Sequence, residues 1–127
     1  MNIKKHLLQC SLFLCIGGYF SHHTYAGNPP FFPTDIELGA KGELIMTEKG
    51  VKRVDVFAPD GQSLLRSFPM EDAPTGILVD DNKAYVTTFE TIGRLHILSL
   101  ESGQIEGTVV TGSGACSPIF GPNKQYI

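Results

Sequence analysis

Tryptophan is absent, and the 127-residue chain carries only three cysteines and four histidines. Cys10, Cys15, His6, His22 and His23 all fall within the first twenty-three positions. Everything downstream therefore has one cysteine, Cys116, and one histidine, His96. One cysteine cannot close an internal disulfide, so stability must come from packing. No Cys/His cluster has metal-ligand spacing, so the sequence supports no zinc site and implies no cofactor. There is no Asn-x-Ser/Thr glycosylation acceptor. No basic run is present and the net charge is −3, which argues against nucleic acid and against anionic membrane surfaces as partners. Beyond the N-terminal segment no stretch keeps a convincing helical period.

The longest apolar run, residues 7–20, is short of the ~18–20 residues that a membrane-spanning helix needs. Lys4 and Lys5 precede it, and Thr24-Tyr25-Ala26 follows it with small residues at the first and third positions. This is the form of a secretory signal, with cleavage expected between Ala26 and Gly27. Residues 1–26 are then the signal peptide, and the proline-rich 27–32, "GNPPFF", reads as a linker. Lipid attachment is not expected, because Cys10 follows Gln9 and Cys15 follows Leu14 rather than a small residue. Loss of Lys4 and Lys5 from ten basic residues leaves eight against thirteen acidic ones, a net charge of −5. An acidic, exported chain without disulfides fits the bacterial periplasm or secretion, with no membrane span after signal removal.

What the remainder does have is an internal period of 41. Leu44, Tyr85 and Tyr126 align at that spacing, as do Ile45, Val86 and Ile127. Pro33-Thr34-Asp35-Ile36 matches Pro74-Thr75-Gly76-Ile77, and 54–57 matches 95–98. Each unit reads as four short strands. In the second, "GILVD" (76–80) is an apolar run suited to burial on both faces, and "KAYVTTF" (83–89) is β-branched and aromatic. "RLHILSL" (94–100) alternates, and "QIEGTVV" (104–110) follows a turn with Gly103 at the position needing positive φ. The first unit repeats this as "DIEL", "ELIMT", "RVDVFA", the turn "PDG" and "QSLLRSF".

Four-stranded antiparallel units of about 40 residues are the blades of β-propellers. The first unit, "PTDIELGAKGELIMTEKGVKRVDVFAPDGQSLL", resembles an NHL-type repeat. The second, "APTGILVDDNKAYVTTFETIGRLHILSLESGQIEGTVV", resembles a YVTN-type repeat, and "SPIFGPNKQYI" opens a third in the same way. The expectation is an all-β chain of propeller blades in residues 33–127, with units at about 33–73, 74–117 and an incomplete 118–127. A ring of ~4–8 blades needs more units than these. The expected explanations are a truncated longer product, assembly of several copies, or an open stand-alone sandwich. Open blade edges also make self-association an expectation.

In propellers generally, ligands meet the face that carries the connections between blades and between the middle strands. The resemblance thus singles out Glu48, Arg53, Glu90 and Arg94 as candidate ligand-binding residues, beside the segments 70–75 and 111–117. Arg53 and Arg94 lie 41 apart and offer a ring of cations for anionic ligands, or pair with local carboxylates such as Glu48 and Glu90. No catalytic residue stands out. His96 lacks a second histidine and is expected to face solvent or a neighbouring blade. Asp80-Asp81-Asn82 lacks calcium-loop spacing, and Ser113 and Ser117 lack a nucleophile-elbow pattern. Cys116 has nothing basic beside it in sequence to lower its pKa. The functional expectation is an exported propeller segment that binds an unidentified protein or small molecule. The alternatives are a fragment of a lactonase-like or quinoprotein-like enzyme, or a remnant without function.

Overall fold

Alternating apolar and polar residues, punctuated by glycine turns, dictate short strands here. The computed structural model describes residues 32–124 and contains eight of them. They are β1 (Pro33–Leu38), β2 (Leu44–Glu48), β3 (Arg53–Phe57), β4 (Leu64–Pro69), β5 (Pro74–Asp80), β6 (Lys83–Thr88), β7 (Arg94–Ser99) and β8 (Ile105–Val110). β1-β2-β3-β4 form one four-stranded sheet and β5-β6-β7-β8 another, each strand hydrogen-bonded to its sequence neighbour. All pairings are antiparallel. The expected all-β class holds, as two sheets packed on one another. The signal peptide, the Ala26–Gly27 cleavage site, the linker up to residue 31, and the strand start at 126–127 lie outside the described residues.

The turns follow from local chemistry. Asp60 Oδ1 accepts from the N–H groups of Gln62 and Ser63, at 2.8 and 3.1 Å, and fixes the β3–β4 turn. Gly103 closes the β7–β8 turn at φ 74 and donates its N–H to Ser99 O, as the sequence pattern requires. The segment after β8 is irregular and ends in a 3₁₀ turn, Pro122–Lys124.

The core lies between the sheets. Ile45, Val54, Val56 and Phe68 on the inward face of the first meet Ile77, Ala84, Val86 and Leu98 of the second, and all eight are buried. Polar bonds set how the faces meet. Each sheet's first strand is irregular near its start, at Pro33/Asp35 and at Pro74/Gly76. The residue at each irregularity is a threonine, displaced from the ladder with its hydroxyl free to reach outward. Thr34 Oγ1 donates to Pro74 O at 3.1 Å, and Asp35 Oδ2 accepts the Ile77 N–H at 3.0 Å. Thr75 Oγ1 donates to Ala115 O at 3.0 Å. The chain after β8 thus returns to β5 at the place where β5 itself meets β1. Phe120 then packs edge-on against Tyr85, with ring centroids 5.8 Å apart.

One expected correspondence shifts. Ile36 pairs with Met46, and Ile77 with Val86. Met46 pairs in turn with Asp55, and Val86 with His96. Met46 and Val86 therefore hold equivalent places, 40 residues apart, while β1/β5 and β3/β7 keep 41. Four residues join β2 to β3 but five join β6 to β7, and the β1–β2 connection is correspondingly longer than that of β5–β6. Pairing Leu44 with Tyr85 would place them on opposite faces. The residue equivalent to Tyr85 is Ile45.

A core confined to the space between the sheets makes a sharp contrast. Leu98→Ala, at 1 % exposure, should lower stability by about 2–5 kcal/mol in urea unfolding. Val109→Ala, on the outward face of the second sheet, should change it by no more than about 0.5 kcal/mol. Equal losses at both positions would contradict this placement of the core.

Candidate functional site

The four residues singled out by sequence gather at one end of the sheets but do not form one site. Glu48 ends β2 directly across from Arg53, which opens β3. Arg94 opens β7, and Glu90 lies in the β6–β7 connection. Neither arginine takes the glutamate as its ion-pair partner. Arg53 Nε donates to Asp55 Oδ2 at 2.8 Å, and Arg94 Nη1 donates to Asp72. Both glutamates instead hold backbone: Glu48 Oε2 accepts the Phe32 N–H at 3.1 Å, and Glu90 Oε1 accepts the Ala73 N–H at 3.4 Å. Phe32 and Ala73 each stand just before the first strand of a sheet, so these carboxylates anchor the entry of the chain into its ladder. Each charged residue therefore has a structural task first.

On the first sheet these side chains form a buried polar set. Asp55 is fully buried and its second oxygen accepts from Ser67 Oγ at 2.6 Å. The Arg53 guanidinium and the Ser67 hydroxyl thus each engage one of its oxygens, which offsets the cost of burying its charge. Glu48 is also fully buried, but its Oε1 has no hydrogen-bond partner. Burial pushes its pKa above the usual 4.5; the Phe32 N–H opposes that shift, Asp55 adds to it, and Arg53 again opposes it.

On the second sheet the equivalent row holds His96. It is buried rather than facing solvent, 5 % exposed, between the sheets. Its Nδ1 meets Thr108 Oγ1 at 2.9 Å, and its Nε2 lies 3.8 Å from Asp72 Oδ2. Burial depresses its pKa below 6.5, against the pull of Asp72 and with the help of Arg94. Asp72 thus faces both Arg94 and His96, from the connection between β4 and β5. The sequence reading missed Asp55 and Asp72. Asp55 was legible as an acid two positions from Arg53 on one strand, hence on the same face. Asp72 carried no local signal, because it arrives from another part of the chain.

Among the described residues no group of three or more His, Cys, Asp or Glu side chains is arranged to hold a metal ion. Cys116 is a free, exposed thiol. No helix of the described residues is long and apolar enough to cross a membrane. A cavity of about 550 Å³ opens at the opposite end of the sheets, and none of the four candidates lines it.

Glu48 and His96 predict opposite pH slopes. His96 has a folded pKa below its ordinary value. Its contribution is complete above pH 6.5 and is lost as pH falls through the depressed value, so His96→Gln should remove that acid-side loss. Glu48 has a raised folded pKa. Its contribution is complete below pH 4.5 and is lost as pH rises through the raised value, so Glu48→Gln should retain more stability than the parent at neutral pH. Urea midpoints measured across pH 4–8 check both, and variant profiles parallel to the parent's would refute them. No protein-family model and no curated protein matches this sequence, so the reading of function rests on the chain's own chemistry.

Proposed function

We propose that this chain is part of an exported propeller of the YVTN/NHL type and works as a binding module rather than as an enzyme. The observation that carries the reading is one row of side chains across the first sheet's outward face. Leu38, Leu44, Phe57 and Leu64 pair across all four strands. The corresponding row of the second sheet is Val79, Ala84, Leu98 and Ile105. That row packs against the first sheet, with Ala84 and Leu98 at 0 % and 1 % exposure. Leu38 and Leu64 instead remain 66 % and 50 % exposed.

An apolar row of this composition is what one sheet presents to the next in a stack of blades. The placement of 115–124 along β5 supports the same reading, since it follows the course of a third unit's first strand. Export follows from the signal-like residues 1–26, and a periplasmic or secreted location is part of the proposal. Arg53, Arg94 and the Nδ1 of His96 are engaged by neighbouring side chains, which favours binding over catalysis.

The test is made on the outward face. The unmodified chain should bind the apolar dye ANS and associate with rising concentration in sedimentation velocity. Leu38→Lys/Leu64→Lys should reduce both while leaving the urea midpoint close to the parent's. A parent that neither binds the dye nor associates, or a double variant that unfolds, would overturn the docking role of this face.

A further inference from the structure

Where the seam between the sheets opens at the β1–β2 and β5–β6 turns, the cavity of about 550 Å³ has a built chemistry. Its volume falls in the ~300–1,000 Å³ range of small-molecule sites. Ile45, Val56, Leu65 and Leu100 supply an apolar lining. The charged groups are sorted by sheet. Lys41, Glu43 and Arg66 come from the first, and Asp81 and Glu101 from the second. The first sheet's contribution is therefore net positive and the second's carries two carboxylates, with the Arg66 guanidinium reaching across the seam to Leu100 O.

The opposed charges do not close on one another. Among the described residues, Lys41, Arg66, Asp81 and Glu101 take part in no ion pair. Arg66 gives one N–H to Leu100 O, which leaves its remaining donors for another acceptor. Glu101 Oε2 accepts from the Asn82 amide at 3.1 Å, leaving its second oxygen. Glu43 Oε2 accepts the Lys41 backbone N–H at 2.9 Å. Its own backbone N–H and that of Lys41 outweigh its slight burial and hold its pKa below 4.5, with Lys41 and Arg66 adding to the effect. It stays ionised and offsets one of the two cations.

A ligand that satisfies both walls needs an anionic end, a cationic end and an apolar body between them. We propose that this cavity binds short apolar peptides with free termini. The α-carboxylate meets Lys41 and Arg66, the α-ammonium meets Asp81 and Glu101, and the side chains lie on Ile45, Val56 and Leu100. The site is separate from the outward sheet face, so it stands or falls independently of the docking role.

Calorimetric titration of the full chain with leucyl-leucine, its N-acetyl form and its C-terminal amide tests this. The free dipeptide should bind, and each blocked form should bind about tenfold more weakly, the loss of one charge-assisted hydrogen bond. Lys41→Ala should weaken the preference for the free acid over the amide, because Arg66 remains. Asp81→Asn should weaken the preference for the free amine over the acetyl form. Both positions are exposed, and asparagine tolerates the φ of 50° at Asp81, so unchanged far-UV circular dichroism is expected for both. No binding of the free dipeptide at millimolar concentration, equal binding of free and blocked forms, or variants that keep the parent's preferences would each overturn the proposal.

Discussion

Thr34 and Asp35 fix one sheet on the other. The hydrophobic effect between two apolar faces is strong but non-directional, and it leaves the faces free to slide. The hydroxyl of Thr34 on Pro74 O and the carboxylate of Asp35 on the Ile77 N–H admit one alignment. Both bonds land on β5, the first strand of the next sheet, near its beginning. Misalignment would leave a partly buried carbonyl and amide without partners, at roughly 1–3 kcal/mol each. The packing of Ile45, Val54 and Val56 against Ile77, Val86 and Leu98 follows from that alignment.

The same device recurs once, with a substitution that explains itself. Thr75 reaches Ala115 O as Thr34 reaches Pro74 O. Gly76 stands where Asp35 stood, and Pro118 where Ile77 stood. Proline brings no N–H, so no carboxylate is needed to receive one. A side chain would also not fit, since a Cβ on Gly76 would lie 2.4 Å from Ser117 N and 3.0 Å from Pro118 Cδ. Carboxylate and amide disappear together, and the segment packs directly against Gly76.

Strand positions and turn residues were legible in the sequence because both are local. Short apolar runs, β-branched composition and local alternation placed all eight strands to within about two residues, and Gly61 and Gly103 marked their turns. The 41-residue spacing placed β3 against β7 correctly. It failed by one residue at β2 and β6, because a shorter first hairpin and a longer second connection cancel in the overall count. Only cross-strand pairing exposes such a compensated slip. The candidate site was legible in its residue types and not in its pairings. Glu48 and Glu90 read as partners for arginine, whereas folding uses them to hold the N–H groups of Phe32 and Ala73. Asp72 belongs to no local pattern, and its place beside Arg94 and His96 exists only once β4 and β5 are in different sheets.

Stacking two sheets in this way creates two kinds of surface with different logic. The outward faces inherit the composition of the buried seam, because each sheet is built with two apolar faces and one contact uses only one from each. They are suited to another sheet and discriminate little among apolar partners. The ends of the seam are different, because there the turns of two sheets meet and each contributes its own charges. At the β2–β3 and β6–β7 end those charges are consumed internally by Asp55 and Asp72. At the opposite end Lys41 and Arg66 of the first sheet and Asp81 and Glu101 of the second line an open cavity. Internal pairing turns the first end into structure. The second retains charges that a ligand can still use, so selectivity for a small molecule is to be sought there rather than among the arginines that the spacing first brought forward.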